Sequence, residues 1–254
     1  MATRPCNPAP NHTLTNGLRV LERVARTHRD FSVSELAADL VLPRSHVHRL
    51  LRTLVDAGYI TQSADTRKYR SDFHVLALAG PFAENLPLRI HGGPVLRTLS
   101  GNARSSSYLA VPHQDAPLII MSDLYRGKKA AHHLGLGDRL QRHASAFGKL
   151  FLALKRLPVE AAELKRLTPY TITTVRGLRE ELETIRRQGY SVNRRENSES
   201  QFSFAAPVYG PTGELLGGVG IAMAASLVDA RGEDHFIRLI VDAAATLSAQ
   251  PLGD

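Results

Sequence analysis

The sequence is poor in the features that mark secreted and membrane proteins. Only one of its 254 residues is a cysteine, Cys6, which excludes an internal disulfide and a cysteine-rich metal site. No stretch approaches the roughly 18 consecutive apolar residues that a membrane helix needs. The polar, proline-rich start lacks the apolar segment of a signal peptide. We therefore expect a cytoplasmic protein without a membrane partner.

Catalytic and metal-binding motifs are also missing. The chain contains neither Gly-x-Ser-x-Gly, nor His-Glu-x-x-His, nor the Gly-x-x-x-x-Gly-Lys-Ser/Thr phosphate loop, which argues against a hydrolase or a nucleotide triphosphatase. His132, His133 and His143 could be considered as metal ligands, but neighbouring strand residues point to opposite faces and no carboxylate spacing completes a site. We predict no catalytic residue, no metal site and no cofactor.

What the sequence does contain is an excess of positive charge. Lys and Arg number 32 against 24 Asp and Glu, a formal net charge of +8. The first 72 residues carry 11 basic and 7 acidic side chains, so the excess is denser there than in the rest of the chain. This balance favours a polyanionic partner, but on charge alone a generally basic solvated surface is the better explanation.

Three helices are predicted at the start of the chain. Residues 15–27 form the first, whose apolar stripe comprises Leu14, Leu18, Leu21, Val24 and Ala25. Ser32 and Glu35 form a capping box that begins a second helix, ending near Leu40. Pro43 suits the first turn of the third helix. Its core-facing residues are Val47, Leu50, Leu51 and Leu54, and Gly58 ends it.

The third helix has a cationic face opposite its apolar stripe. At about 100° per residue, Ser45, Arg49 and Arg52 fall near the middle of that face, flanked by His46 and His48, with Arg44 in the first turn. Residues 59–61 and 67–70 then predict a hairpin, whose second strand carries Arg67, Lys68 and Arg70. This order of elements is typical of a winged helix-turn-helix, so we favour DNA binding over a purely structural helical domain.

The rest of the chain alternates strand-like and helical segments. An apolar helix over 73–80 precedes a joint at 81–94 that is rich in proline and glycine. Strands are predicted at 107–111, 118–124, 189–193, 203–209 and 215–223, and helices at 95–102, 145–154, 159–167, 178–188 and 234–247. Pro211-Thr212-Gly213 is a tight turn between two strands. The pattern predicts an α+β domain with an antiparallel or mixed sheet.

Two segments of this part have the composition of pocket walls. Residues 145–148 open a helix with small residues around one ring, so the free amides there could bind a carboxylate. Residues 203–208 alternate small and bulky side chains, and Asn193, Gln201 and Ser203 offer neutral hydrogen-bonding groups. A capped helix on an ordinary sheet core explains the same residues.

From about Leu14 to Leu247 the chain resembles the IclR-type bacterial transcriptional regulators. The resemblance is carried by residues 42–51 with Leu54 and Gly58-Tyr59 at one end of the chain. Further along, it is carried by residues 143–149, 167–173, 185–190 and 205–208. It implies a disordered tail at 1–12, a winged helix-turn-helix at 13–72, a linker helix at 73–90, and a GAF-like effector-binding and oligomerisation domain at 91–254.

The resemblance further implies a repressor or activator that binds double-stranded DNA at a palindromic operator as a homodimer, often paired into a tetramer. A small-molecule effector, commonly an organic or aromatic acid, would modulate this binding. The DNA-binding candidates are Ser34, Arg44, Ser45, His46, His48, Arg49, Arg52, Arg67, Lys68 and Arg70. The effector-binding candidates, carried over by position, are Leu140, Ala146, Phe147, Asn193, Gln201 and Ser203.

The chain departs from the family pattern at several places. Family members often have a small residue at Phe147, an acidic residue near Asn193 and a cysteine at Ser203. We therefore expect a ligand that differs from the usual small acids. They also have glycine followed by an apolar residue at Ser200 and Gln201. Val41 replaces the glycine that takes a left-handed turn, which implies strain of about 1 kcal/mol or more.

Two alternatives stay open beside an effector-responsive regulator. The C-terminal domain could be a pure dimerisation module whose cavity Phe147 fills. An enzyme that uses the C-terminal pocket is less favoured, because the pocket candidates contain no ordered nucleophile and base.

Overall fold

The computed structural model describes residues 11–27, 29–127 and 134–251. It divides the chain into two compact units whose boundary falls between Phe82 and Ala83. Cys6, His132, His133 and residues 1–10 of the predicted tail lie outside the described residues. Within the described ranges, no helix is long and apolar enough to cross a membrane.

The first unit has the element order of a winged helix-turn-helix, as predicted. Its described elements are α1 (His12–Ala25), α2 (Val33–Leu40), α3 (Arg44–Asp56), β1 (Ile60–Gln62), β2 (Tyr69–Ser71) and α4 (His74–Glu84). Strands β1 and β2 pair antiparallel, with Ile60 opposite Ser71. The core combines residues from all three helices and the hairpin: Val20, Val24, Phe31, Leu36, Ala37, Val47, Leu50, Leu51, Ile60 and Tyr69.

The apolar stripe predicted for α1 is wrong in part. Asn11 caps the helix by accepting from the amides of Thr13 and Leu14, so α1 begins at His12. Its buried residues are Gly17, Val20 and Val24, whereas Leu14 and Leu18 are exposed. Gly17 belongs to the buried stripe and lies next to Leu50 of α3. A stripe counted from apolar residues alone overlooks this glycine.

The second unit is built around a five-stranded sheet. Its strands are β3 (Ser106–His113), β4 (Ala116–Asp123), β5 (Ser191–Arg194), β6 (Gln201–Tyr209) and β7 (Leu215–Ala224). The strand order is β4-β3-β7-β6-β5, and every pair is antiparallel. The described helices are α5 (Pro87–Ala103), α6 (Ala146–Leu154), α7 (Val175–Gln188), α8 (Ala225–Arg231) and α9 (Glu233–Ser248). The predicted α+β class and antiparallel sheet are confirmed.

Each face of the sheet carries its own hydrophobic core. Leu109 packs with α5 and α9 on one face, and its neighbours Tyr108 and Ala110 pack with α6 and α7 on the other. This alternation follows from the pleat, which sends successive side chains to opposite faces. The sheet is therefore the middle of three layers, with α6 and α7 on the face that carries the predicted pocket walls.

The predicted joint over 81–94 is helical instead. Helix α4 contains Pro81, and α5 begins with Pro87 at its first turn and contains Pro94. The same finding corrects the single linker helix predicted for 73–90, because α4 ends at Glu84 and α5 begins at Pro87. Gly92 is not a helix breaker: a Cβ there would collide with the Leu109 side chain, so the glycine lets α5 lie close to β3.

The helix predicted over 159–167 is also wrong. The structure has only a single 3-10 turn there, Ala161–Glu163. The amides of Leu167 and Thr168 donate to the Thr171 hydroxyl, at 3.1 and 2.8 Å, rather than to carbonyls of a preceding helical turn. Side-chain oxygens of this kind compete with helix formation.

Candidate functional site

Helix α2 begins with a capping box and ends with a left-handed residue that starts the turn to α3. The Ser32 hydroxyl accepts from the Glu35 amide at 3.2 Å, and the Glu35 carboxylate accepts from the Ser32 amide at 2.8 Å. Those hydrogen bonds, with the positive charges of Lys68 and Arg29, hold the pKa of Glu35 below its ordinary value of 4.5. Val41 ends α2 with φ 54° and ψ 51°, so the turn keeps the left-handed conformation with a β-branched residue.

Helix α3 presents a basic face to solvent. Val47, Leu50 and Leu51 point into the core, and the opposite side of the helix carries exposed Arg44, Ser45, His48, Arg49 and Arg52. We refer to these five residues as the α3 basic face. The burial pattern confirms the sequence-based assignment of the inner and outer sides of this helix.

His46 is half-buried at the edge of this face. Its Nδ1 lies 3.2 Å from Nη2 of Arg49, and its Nε2 lies 3.4 Å from Nδ2 of Asn16 in α1. Both facing groups are donors and a neutral imidazole has one acceptor nitrogen, so only one of these two contacts is a hydrogen bond. The ring still lies between Arg49 and α1 and restricts how the arginine projects from the helix.

The β1–β2 hairpin adds further positive charge. Arg67, Lys68 and Arg70 are all exposed, as is Ser34 on α2. Tyr69 is different: its ring is buried, and its backbone pairs with Phe31 through two hydrogen bonds of 2.8 Å. The aromatic residue of this strand thus anchors the hairpin to the core, whereas its basic neighbours face the solvent.

A small cavity lies in the second unit between α6 and the sheet. Its volume is about 80 Å³. Five of the predicted effector-binding residues line it together, namely Leu140, Ala146, Phe147, Gln201 and Ser203. Sequence reasoning missed Asn197 and the strand residues Tyr108, Ile221 and Ala222, because the neighbours of β3 and β7 in the sheet do not follow from the sequence.

Asn193 is the predicted effector-binding residue that the cavity does not include. Its amide nitrogen donates to the Ala144 carbonyl at 3.2 Å and to Oδ1 of Asn197 at 2.7 Å, and its Oδ1 accepts from the Glu196 amide at 2.8 Å. Asn193 therefore supports the wall from behind, and Asn197 provides the amide that lines the cavity.

Phe147 occupies a slot made by glycines of β7. A Cβ at Gly218 would lie 3.3 Å from Cδ1 of the ring, and one at Gly220 would lie 2.9 Å from its Cζ. The ring packs against the strand backbone, and a cavity of about 80 Å³ remains beside it. Gly148, next in the chain, lies against the backbone carbonyls of Gln141 and Arg142, where a Cβ would collide with both.

The polar groups at the cavity are neutral hydrogen-bond donors. Ser145 caps α6 by accepting from the Gly148 amide at 3.0 Å, and its hydroxyl donates to the Gln141 carbonyl at 2.6 Å. The amides of Ala146 and Phe147 are in the first turn of α6 and so have no acceptor within that helix. Burial raises the pKa of Tyr108 above its ordinary value of 10.0, although hydrogen bonds with Ser106 and the Leu134 backbone oppose this shift, so the phenol stays protonated at neutral pH.

Other features of the second unit lie apart from this cavity. His143 is buried with Nε2 2.9 Å from the Lys165 carbonyl, and the described residues include no group of three or more potential metal ligands. A larger groove of about 570 Å³ lies between α5 and α9, on the opposite face of the sheet. None of the predicted effector-binding residues lines it.

Comparisons with known proteins match nearly the whole chain. A model of the IclR helix-turn-helix domain matches residues 13–64, and a model of the bacterial transcriptional regulator IclR C-terminal domain matches residues 82–249. An uncharacterized HTH-type transcriptional regulator of Haemophilus influenzae is 26% identical over 94% of this chain and 92% of its own. The transcriptional repressor IclR of Escherichia coli is 27% identical over 91% of this chain and 87% of its own.

Solved structures share the fold. The IclR transcriptional regulator from Alicyclobacillus acidocaldarius superposes with a TM-score of 0.79 at 22% identity, covering 94% of this chain and 98% of its own. An IclR homologue from Microbacterium hydrocarbonoxydans, crystallised in complex with 4-hydroxybenzoate, superposes with a TM-score of 0.77 at 20% identity and the same coverage.

Proposed function

Because the chain belongs to the IclR family of bacterial transcriptional regulators, whose helix-turn-helix domain binds DNA, we propose that the α3 basic face reads the operator sequence. The exposed side of α3 supports this role, since core packing leaves exactly one side of the helix free and that side carries three arginines. A guanidinium can donate to O6 and N7 of guanine together, so Arg44, Arg49 and Arg52 are suited to base edges. Ser45, His46 and His48 then meet neighbouring bases or phosphates.

Arg49 is the arginine best prepared for base recognition. Its contact with His46 limits its rotamers before DNA binds, which lowers the entropy lost on binding. The wing residues Arg67, Lys68 and Arg70, with Ser34 at the start of α2, contact the phosphate backbone in this arrangement.

The test of sequence reading is Arg49→Ala on the full-length protein. Its affinity for its own upstream DNA and for a scrambled duplex is measured by fluorescence anisotropy across a salt series. We expect a loss of about 1–3 kcal/mol on the operator and a weaker preference for it. Arg26→Ala, which removes an exposed arginine after α1, is the charge-matched control and should retain the preference. Equal losses on both duplexes would make Arg49 a phosphate contact only.

We further propose that the cavity beside Phe147 binds an organic acid effector, and that small aromatic acids are one class of such effectors. The support is its set of neutral donors and the first-turn amides of α6, which together suit a carboxylate. That an IclR homologue of the same fold was crystallised with 4-hydroxybenzoate agrees with this class. The cavity of about 80 Å³ is small for a ligand site, so binding requires the Phe147 ring to move.

Effector binding is tested with benzoate, 4-hydroxybenzoate and pyruvate as probes. A ligand that acts here raises the melting temperature progressively with the logarithm of its concentration above Kd, and it changes operator affinity in the same titration. Binding without a change in operator affinity would separate the cavity from regulation. No melting shift with any acid would favour the alternative in which the domain serves for dimerisation alone.

We propose that the protein acts in the cytoplasm as a homodimer, able to pair into a tetramer, on a palindromic operator. Helix α4 supports self-association: none of its residues is buried, and Phe73, beside it, with Leu76, Leu78 and Phe82 are each 64–87% exposed. An apolar surface of this kind on a monomer marks an interface. The protein works as a repressor or an activator rather than as an enzyme, and product formation in a metabolite turnover screen would contradict this.

A further inference from the structure

Helix α6 contains a lysine that is almost completely buried. Lys149 is 1% exposed, and its ammonium group donates to Oε1 of Glu181 at 2.8 Å, to the Val192 carbonyl at 2.8 Å and to Oε1 of Glu196 at 2.5 Å. All three N–H bonds of the ammonium are therefore satisfied. Buried lysines are rare unless they are paired in this way.

Glu196 connects Lys149 to the segment between β5 and β6. Its side chain is buried, and its backbone carbonyl accepts from the hydroxyls of Thr168 and Thr171, at 3.2 and 2.6 Å. Its amide donates to Oδ1 of Asn193, which in turn holds the Asn197 side chain. Lys149 thus fixes both the side chain of Glu196 and, through it, the residues that follow.

The same contacts join the two walls of the cavity. One wall is the start of α6, with Ala146 and Phe147, and the other includes Asn197, Gln201 and Ser203. Lys149 crosses between them from α6 to Glu196, and Asn193 crosses from Asn197 to the Ala144 carbonyl. We use "Lys149 network" for Lys149, Glu181, Asn193 and Glu196.

We propose that the Lys149 network sets the separation of the two cavity walls, so that Lys149, Asn193 and Glu196 are positioning residues for the effector. The proposal rests on the effector role proposed above. A buried charge whose partners are removed keeps its desolvation cost, so losing one partner drives the rest of the network to rearrange. Because the network ends at Asn197 and Ala144, the rearrangement changes the cavity walls more than the other face of the sheet.

The experiment is hydrogen–deuterium exchange on the full-length protein without ligand. Glu196→Ala removes one of the three acceptors of Lys149, whereas Glu196→Gln keeps a carbonyl oxygen at the same place. We expect Glu196→Ala to raise exchange about tenfold or more in peptides covering 143–150 and 193–203. Exchange in α9 and β3 should not change. In Glu196→Gln, exchange in the same peptides should stay within about twofold of wild type. Asn193→Ala breaks the next link and should give the same local pattern if Glu196→Ala does not fold.

Glu233→Gln is the matched control. It weakens the contact of Glu233 with Arg194, which also lies on β5 but connects that strand to α9. The control should leave exchange in both cavity peptides within about twofold of wild type. Unchanged exchange in Glu196→Ala, or faster exchange throughout 83–251, would overturn the proposal, the second result indicating general core stabilisation.

A second readout separates this proposal from the effector role. Melting-temperature shifts with 4-hydroxybenzoate are measured for wild type, Glu196→Gln and Glu196→Ala, and the shift should survive in Glu196→Gln and shrink in Glu196→Ala. If wild type binds no acid probe, the effector proposal fails, while the exchange pattern still decides whether the network positions the walls.

Discussion

At the scale of single residues, Val41 combines a left-handed backbone with a β-branched side chain. The side chain is 88% exposed, so burial of its apolar surface offsets little of the backbone strain. The turn is not rebuilt to relieve the strain, because Val41 closes α2 with its amide donating to the Ala37 and Ala38 carbonyls. The strain is therefore a local cost of the helix-turn-helix turn.

Val41→Gly should stabilise the first unit by about 0.5–1 kcal/mol. Relief of left-handed strain, about 1–2 kcal/mol, exceeds the greater entropy of glycine in the unfolded chain, about 0.5–1 kcal/mol. Urea unfolding followed by circular dichroism measures the difference. Val41→Ala, which removes the branching but keeps a Cβ, should fall between the two. A less stable glycine variant would show that the valine side chain makes a favourable contact.

Phe147 is the residue that limits the size of the proposed effector. Phe147→Ala should cost about 3–5 kcal/mol of stability and enlarge the cavity, so that a larger acid such as 2-naphthoate raises the melting temperature of the variant but not of wild type. Phe151→Ala is the control, since that ring lies on the same helix, 6.2 Å from Phe147, but does not line the cavity. Identical ligand profiles for both variants would contradict a limiting role for Phe147.

Residue-level prediction from sequence succeeded where helical periodicity determined the answer. The outer face of α3 follows from the positions of Val47, Leu50 and Leu51, and the structure confirms it. The amide at the cavity was not predictable in the same way. Arg195 takes a φ of 64° after β5, and this turn in the chain brings Asn197 rather than Asn193 to the cavity wall.

At the scale of elements, α2 depends on its capping box. Because folding lowers the pKa of Glu35, its contribution to stability is present above about pH 4.5 and is lost as the pH falls through the folded-state value. Glu35→Gln keeps an acceptor for the Ser32 amide but does not titrate, so the loss of stability on acidification should be smaller. Urea unfolding between about pH 5 and pH 3 tests this. Glu22→Gln, which makes the same charge change on α1, is the control.

Helix α5 shows why the joint predicted over 81–94 was wrong. Its glycines and prolines are ordinarily breakers, yet Gly92 is required for close approach to Leu109, and Leu88, Leu96 and Leu99 pack on the sheet. Tertiary burial outweighs local propensity here. The five strands, in contrast, were predictable because alternating or continuous apolar runs between turn residues mark them locally.

At the scale of the whole molecule, the exposed apolar side chains of α4 govern self-association. Leu78→Asp and Phe82→Asp place charges on this helix and should raise the dimer dissociation constant about tenfold or more, as measured by sedimentation velocity. Affinity for a palindromic operator should fall with it. Leu136→Asp is the control, because Leu136 is a similarly exposed apolar residue elsewhere in the chain. An unchanged dimer in both α4 variants would assign the interface to another surface.

Gly148 and Phe147 are neighbours with opposite freedom to vary during evolution. No side chain fits at 148, because the backbone carbonyls of Gln141 and Arg142 occupy the space, whereas the ring at 147 packs on the β7 glycines and near Phe151 and lines the cavity. A lineage that adapts to a new nutrient can therefore exchange the side chain at 147, provided that the rest of the fold tolerates the loss of packing. The residue at 148 is then fixed by the fold, whereas the residue at 147 varies with the effector that each lineage uses.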